Sequence, residues 1–170
     1  MPLTISVNLS LKQFTQPDLI EKIEQILHES SLDAHRLKLE ITESLLLENA
    51  ASTTAMLLQL RDLGVQLSID DFGTGYSSLS HLHRLPFNTL KIDRSFVSNM
   101  DVGSKNAEIV RAIATLAHNL GMDVTAEGVE KADQLAQLRA LQCKHGQGYF
   151  FSKPVDGKAA GALIAQNLQW

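Results

Sequence analysis

The chain has 170 residues, 44% of them apolar and 20% charged, and it carries a formal net charge of -4. The apolar fraction excludes an intrinsically disordered chain, and the acidic balance argues against a DNA partner because phosphate binding needs clustered positive charge. No run approaches the roughly 20 apolar residues of a membrane span, and the first residues lack the pattern of a signal peptide. The single cysteine, Cys143, excludes an internal disulfide and is expected to be an inert buried thiol. We therefore expect a cytoplasmic protein with no membrane segment.

Short strand-like runs alternate with longer helical patterns and no linker divides them, which predicts one α/β domain with a parallel sheet. The predicted strands are Ile5–Leu9, Leu37–Thr42, Val65–Asp70, Thr89–Asp93, Met122–Ala126 and a weak one at Cys143–Gln147. The helical patterns cover Leu19–Leu27, Leu45–Leu63 before Gly64, Ile109–Leu120 before Gly121, Leu135–Leu141 and Ala159–Leu168.

The predicted strands share an alternating pattern. In Ile5–Leu9, Leu37–Thr42 and Val65–Asp70, every second residue is apolar and the residues between are polar. Successive side chains of a strand point to opposite faces, whereas parallel strands covered on both faces usually read as continuous apolar runs. Polar faces suit the inside of a closed β/α barrel, where the C-terminal ends of the strands form the mouth of the active site. We therefore predict a TIM-type barrel rather than an open sheet.

Amide and ionisable residues stand at the C-terminal ends of these strands: Asn8, Glu40, Asp70 with Asp71, Lys91 with Asp93, and Glu127. Four of these carboxylates, those of Glu40, Asp70, Asp71 and Glu127, would converge at one mouth. They repel each other unless some are protonated or cations lie among them. Oxygen ligands without clustered Cys or His favour Mg²⁺ or Mn²⁺ over zinc. Asp70 and Asp71 could let one aspartate bridge two metal ions, roughly 3.5–4 Å apart in two-metal phosphoester chemistry. Lys91 could then orient or help deprotonate a water, or neutralise phosphate charge.

Several motifs follow one another along essentially the whole chain: Ser6–Ser10, Leu39–Glu43, Asp70–Leu79, Leu90–Val97, Ala126–Glu130 and Gln147–Tyr149. Their order and spacing resemble the EAL-domain cyclic di-GMP phosphodiesterases of bacterial signalling. The resemblance implies a variant TIM barrel that hydrolyses cyclic di-GMP to the linear dinucleotide pGpG with two Mg²⁺ or Mn²⁺ ions.

The resemblance also implies a role for each matching residue. Lys91 would act on the water, Gln147 would contact that water or the phosphate, and Glu127 would serve both the catalytic set and the metal site. The implied metal ligands are Asn8, Glu40, Asp70, Asp71 and Glu127.

A supporting set completes the site that the resemblance implies. Glu43 would brace the loop after the aspartate pair, which contains Gly73 and Gly75 and which in the family couples dimer contacts to the metal site. Glu43 could equally be a first-turn helix residue favoured by the helix dipole. Asp93 belongs to the same supporting set, although an ion pair between Lys91 and Asp93 inside the barrel is an alternative.

Two further patterns have simpler interpretations. The aspartate pair with the glycines after it could be only a polar turn with positive φ angles, an alternative that the companion motifs disfavour. His81 and His83 suggest a metal pair, but they lie on a polar stretch before Pro86. A solvated surface pair is the better interpretation of these histidines.

One departure from the family pattern is serious. The family is named for a Glu-Ala-Leu motif on an early strand, whose glutamate is a metal ligand, and the sequence contains no Glu-Ala-Leu. The chain begins at what resembles the third strand, so two strands, that ligand and a nearby substrate-binding arginine are absent. A β/α barrel typically needs about 250 residues. We therefore predict a single partial EAL domain over residues 1–170, an incomplete barrel with about six of eight strands.

Two consequences are expected. The isolated chain should be weakly active or inactive, and a catalytically inactive module that binds cyclic di-GMP or another protein is the alternative function. Open sheet edges and exposed apolar barrel wall should favour a homodimer or other self-association, with possible exchange of elements between copies.

Overall fold

The computed structural model describes residues 3–47, 50–75 and 82–166, and its strands form one parallel sheet in which each strand pairs with the next along the chain. The strands are β1 (Ile5–Asn8), β2 (Leu37–Thr42), β3 (Gln66–Phe72), β4 (Thr89–Ile92), β5 (Asp123–Glu127) and β6 (His145–Gln147). All of the predicted strands are present with small shifts at their ends, and the α/β class is confirmed.

Helices follow the strands, as the alternating pattern predicted. They are α1 (Leu11–Phe14), α2 (Leu19–Ser30), α3 (Ala50–Asp62), α4 (Arg94–Val97), α5 (Lys105–Asn119), α6 (Ala132–Ala140) and α7 (Gly157–Gln166), with 3₁₀ turns at Ala34–Arg36 and Glu43–Leu47. Among these residues no helix is long and apolar enough to cross a membrane.

The prediction of one continuous helix over Leu45–Leu63 is wrong at its beginning. Glu43–Leu47 forms a 3₁₀ turn, and the α-helix α3 starts at Ala50. The turn is held by the carboxylate of Glu43, which is buried and bonds to the loop after β3. The end of the pattern is confirmed, because Gly64 has a φ of +89°, the left-handed conformation in which helices commonly terminate.

The sheet has an apolar face and a polar face. Its apolar face packs against α3 and α5 through Leu57, Leu60, Val110 and Ala117, all of them fully buried. The buried strand residues of the core include Leu39, Ile41, Leu67, Ile69, Leu90, Ile92, Val124 and Ala126. Burial of each large apolar side chain stabilises the folded state by roughly 1.5–3 kcal/mol. The packed apolar face therefore holds the strands in place, and with them the side chains of the polar face.

The polar face is concave. Lys38 on β2 donates a hydrogen bond at 3.0 Å to Thr89 on β4, across the intervening strand β3. Lys91 on β4 likewise reaches Glu40 on β2. Side chains that meet across an intermediate strand require a curled sheet, and six such parallel strands form the incomplete barrel that the sequence predicted.

The β1 side of the sheet is open in the described structure. Ile5 and Val7 are 56% and 44% exposed, although their positions belong to the apolar face. Beside them lies an apolar groove of about 380 Å³. Its lining includes Val7, Leu9, Leu19, Ile23, Leu37 and Leu39. The expected exposure of apolar barrel wall is therefore confirmed at this edge.

Candidate functional site

Strand register brings the predicted site residues to the same end of the sheet. Asn8 on β1 lies opposite Glu40 on β2. Gln147 on β6 lies opposite Glu127 on β5. Since the strands are parallel, their C-terminal ends meet at one edge, and side chains at matching positions share the concave face.

Lys91 is the centre of this cluster. Its Nζ lies 2.5 Å from Oε2 of Glu40, 2.8 Å from Oδ1 of Asp70 and 2.8 Å from Oε1 of Glu127. Only 4% of the lysine side chain is exposed. One ammonium therefore joins carboxylates from β2, β3 and β5. The ammonium of Lys91 therefore reduces the repulsion among the carboxylates. The sequence had suggested only protonation or bound metal ions for that purpose.

Asp71 turns away from the strand geometry immediately after Asp70. Its φ is +54°, a left-handed conformation that aspartate tolerates better than most residues. The register between β3 and β4 shifts between Ile69 and Phe72. The Asp71 N–H donates to the Asp70 carboxylate at 3.2 Å. The irregular strand end thus brings two consecutive carboxylates to the same side, which an ideal strand would not do.

Three carboxylates converge closely enough to share a cation. Ligand oxygens of Asp70, Asp71 and Glu127 all lie within 4.8 Å of one another. The donors are all carboxylate oxygens, a set that suits hard divalent cations such as Mg²⁺ and Mn²⁺. The residues present therefore fit a divalent metal ion on the concave face. Glu40 faces the same space through its contact with Lys91.

Burial and crowding shift the pKa values of this cluster. Burial raises the pKa of Asp71, and the nearby carboxylates of Asp70 and Asp93 raise it further. Burial also raises the pKa of Glu127, although its hydrogen bond with Lys91 opposes that rise. Burial alone would lower the pKa of Lys91, but the hydrogen bonds to Asp70, Glu127 and Glu40 outweigh it and raise the pKa. Lys91 is therefore an ammonium at neutral pH.

Glu43 forms hydrogen bonds with the loop after the aspartates. Its carboxylate accepts hydrogen bonds from the backbone N–H of Gly73 at 2.9 Å and of Gly75 at 3.4 Å. Gly73 has a φ of +97°, and a Cβ on Gly75 would lie 3.0 Å from the Glu43 carboxylate. The conformation at Gly73 favours glycine, whereas a side chain at Gly75 would press on the carboxylate of Glu43.

Asp93 has a different role from the ion pair considered as an alternative. Among the described contacts, Lys91 pairs with three other carboxylates and not with Asp93. The Asp93 carboxylate instead accepts from the Ser95 N–H at 2.9 Å and caps α4. Burial would raise the pKa of Asp93, but this bonding lowers it. Asp93 lies beyond the end of β4, where the chain has already turned into the helix.

The concave face also holds polar groups nearer the N-terminal ends of its strands, and the sequence had not indicated them as site residues. Lys38 bonds to Thr89, and burial lowers the pKa of Lys38. Ser68, fully buried between Glu40 and Thr89 in register, has the one buried side-chain polar atom without a partner among the described residues. Lys38 and Ser68 occupy polar positions in the alternating patterns of β2 and β3. That alternation could have identified them as residues of the concave face.

The remaining candidates are two histidines and the cysteine. His83 is exposed, in agreement with a surface histidine, and His81 lies outside the described residues. Cys143 is a free thiol, partly buried, and burial raises its pKa to about 11.

The fold and the site define a class of protein: a parallel β/α half-barrel with a lysine and carboxylates at the C-terminal ends of its strands. The family model of the EAL domain matches residues 1–154. The chain belongs to the EAL domain family.

Relatives and solved structures agree with this membership. The chain is 44% identical over 153 residues to the cyclic di-GMP phosphodiesterase NbdA of Pseudomonas aeruginosa. The aligned region covers 90% of this chain and 20% of NbdA. The PaMucR phosphodiesterase in complex with c-di-GMP matches with a TM-score of 0.88 and 41% identity, over 92% of this chain and 64% of that one.

A third similarity concerns a structure that contains a metal. Klebsiella pneumoniae BlrP1, in its manganese/cy-diGMP complex, matches with a TM-score of 0.81 and 30% identity, over 89% of this chain and 39% of that one. The chain spans about a fifth to a quarter of the length of the curated relatives it matches.

Proposed function

We propose that the concave face is the catalytic centre of a metal-dependent cyclic di-GMP phosphodiesterase, which hydrolyses its substrate to pGpG. The observation that carries the proposal is the convergence of Asp70, Asp71 and Glu127, with ligand oxygens within 4.8 Å of one another, beside the buried Lys91. The complexes of PaMucR and BlrP1 support the choice of cyclic di-GMP.

The residues suit this reaction in the following way. Asp70, Asp71 and Glu127 would hold Mg²⁺ or Mn²⁺, with Glu40 beside them and Asn8 opposite Glu40 in register. The metal would supply Lewis-acid stabilisation of charge that develops on the phosphate oxygens. In the reaction, water adds to one phosphorus and a P–O3′ bond breaks, so that the product keeps its 5′ phosphate and gains a 3′ hydroxyl.

Lys91 and Gln147 would act on the water and the phosphate. The raised pKa of Lys91 supports a role as a cation that orients water or neutralises charge, rather than a base that removes its proton. Gln147, opposite Glu127 in register, is exposed on the last strand and offers both a donor and an acceptor.

Incubation of the 170-residue chain with cyclic di-GMP and Mn²⁺, followed by chromatography for pGpG, tests the proposal. We expect slow turnover, because β1 and its Asn8 lie at an open edge of the sheet. Asp71→Asn should abolish that turnover, whereas Asp101→Asn, a change at an exposed residue, should retain it. Turnover that Asp71→Asn leaves unchanged would place the chemistry elsewhere. A cytoplasmic location belongs to the same proposal, since a chain with a single cysteine suits a reducing compartment.

A second candidate is a module that binds cyclic di-GMP without hydrolysing it. The exposure of Asn8 at the open edge favours this module. An exposed side chain has few neighbours to hold it in place, so Asn8 would be a poorly positioned metal ligand. Calorimetry with cyclic di-GMP in Ca²⁺ and in Mg²⁺ separates the candidates. Binding in both without pGpG in Mg²⁺ supports the module, and no binding at all contradicts both.

We also propose that a second copy of the chain covers the β1 edge. The edge offers unpaired backbone groups next to the exposed Ile5 and Val7, and strand edges of this kind pair readily. Light scattering over a range of concentrations should detect a dimer or larger species. Val7→Lys should shift the chain toward the monomer, whereas Val102→Lys, at a residue already 88% exposed, should not. A monomer at all concentrations contradicts this part.

A further inference from the structure

Lys91 uses its whole hydrogen-bonding capacity on carboxylates. An ammonium has three donor hydrogens, and Nζ of Lys91 bonds to Glu40, Asp70 and Glu127. With the lysine almost fully buried, no further donor remains for water or a phosphate. The lysine in this arrangement is a structural cation as much as a group that acts on substrate.

The partners of this ammonium overlap with the residues that fit a divalent cation. Asp70 and Glu127 belong both to the lysine contacts and to the three-carboxylate cluster with Asp71. A divalent ion held by that cluster would lie within a few ångströms of the ammonium, and like charges at such a distance repel strongly in a partly buried site. The two cations could share Asp70 and Glu127 through different carboxylate oxygens, but their mutual repulsion would weaken the contacts of each.

We propose that the Lys91 ammonium is the resident cation of the centre, which holds the carboxylates together before a divalent ion binds and competes with that ion for Asp70 and Glu127. The proposal rests on the metal site of the proposed function and concerns the order of events at that site. Lys91 must withdraw from at least one carboxylate when the metal binds, and only then are its donors free for water or phosphate.

This competition predicts opposite effects of one substitution. Lys91→Met keeps an unbranched side chain of similar length, without the terminal ammonium, and so removes its charge. The metal-free protein should then unfold at a lower temperature, because the carboxylates of Glu40, Asp70 and Glu127 lose their counter-ion. The same variant should bind Mn²⁺ about tenfold more tightly, because the competing charge is gone. A lysine that acted only on the reacting water would leave the affinity for metal unchanged.

The experiment is a Mn²⁺ titration of the 170-residue chain, read by the electron paramagnetic resonance signal of free Mn²⁺. Lys144→Met is the matched control, since Lys144 also pairs with a carboxylate, that of Asp123, and its loss changes the net charge equally. Tighter binding by Lys91→Met than by Lys144→Met supports the proposal. Equal or weaker binding by a folded Lys91→Met overturns it.

A measurement on the wild-type chain covers the case in which Lys91→Met does not fold. The ¹⁵N signal of the protected Lys91 ammonium, assigned by its loss in Lys91→Arg, should move when Mg²⁺ is added. An unmoved signal at Mg²⁺ concentrations that raise the melting temperature overturns the competition alone. A wild-type chain that binds neither Mn²⁺ nor Mg²⁺ removes the metal site, and with it both this proposal and the proposed function.

Discussion

The carboxylate of Glu43 accepts a hydrogen bond from the backbone N–H of Gly73 at 2.9 Å. Glu43 follows β2, whereas Gly73 follows the aspartate pair at the end of β3, so the bond joins two neighbouring strand ends at the mouth of the half-barrel. Glu43 is 3% exposed. Hydrogen bonds to a buried carboxylate are among the stronger ones in a protein, and this one fixes the loop that positions Asp71.

Glu43→Gln should loosen this loop. The substitution keeps the shape but removes the charge and one acceptor, which should reduce the free energy of unfolding by about 1.5–3 kcal/mol and weaken Mn²⁺ binding at Asp71. Urea denaturation and a Mn²⁺ titration measure the two effects. Glu24→Gln, at an exposed position of α2, is the control and should change neither. A Glu43→Gln variant with wild-type metal affinity would separate the loop from the metal site.

Gly148→Ala should disrupt the end of β6. A Cβ at Gly148 would collide with the backbone N and O of Val129, and Val129 is bonded to Gln147 and Phe150. Because backbone cannot yield as a side chain does, we expect a loss of about 3 kcal/mol, measured by thermal unfolding. Gly161→Ala in α7 meets nothing within 4 Å and should instead gain up to about 1 kcal/mol. Equal melting temperatures for the two variants would contradict the tight approach at Gly148.

Ser68 and Thr89 should respond in opposite directions. Ser68→Ala removes a buried hydroxyl that has no partner in the part of the chain that the structure describes. It should raise the free energy of unfolding by about 1 kcal/mol. Thr89→Val removes the hydroxyl that accepts a hydrogen bond from the Lys38 ammonium at 3.0 Å. This substitution should lower the free energy of unfolding by about 1–3 kcal/mol. Both are measured by urea denaturation. A loss of stability in Ser68→Ala would indicate that the hydroxyl has a partner in solution, such as a buried water.

Cys143 should be slow to react and should affect stability only at high pH. Burial raises the pKa of its thiol to about 11 from an ordinary value of 9.0. The folded state therefore binds the proton more tightly than the unfolded state, so this contribution to stability is constant below about pH 9 and falls as the pH rises from 9 to 11. At pH 8, iodoacetamide should alkylate the native chain about 100-fold more slowly than the chain in urea. Equal rates would show that the thiol is exposed.

The strands could be predicted because their alternation is a local property of the sequence. The end of α3 was equally predictable, since Gly64 marks the change to positive φ. Short elements were missed for the opposite reason: α4 has only four residues, and its one sequence signal is the capping Asp93. The pattern Thr89–Asp93 predicted that the strand includes Asp93, whereas β4 ends at Ile92. Asp93 was expected in the set that supports the site, and an ion pair with Lys91 was only an alternative.

The types of residue at the mouth were predicted, but their contacts were not. Polar positions on several strands indicated a shared face, and the resemblance added their roles. The triple contact of Lys91 could not be foreseen, because it depends on how far the sheet curls between β2 and β5. The left-handed φ of Asp71 is similarly a property of the strand end, where a register shift between β3 and β4 decides the backbone conformation.

The order of the strands in the sheet is the order of the strands in the chain. Each strand can therefore pair with the one synthesised just before it, and among the six described strands no pair skips a strand along the chain. Segments of a chain can fold in the order of their synthesis, and pairing in chain order is compatible with stepwise assembly of this sheet. If the strands pair in that order, the contacts of Lys91 are complete only when β5 brings Glu127 into place. A complete set of Lys91 contacts therefore indicates that β2 to β5 have already paired.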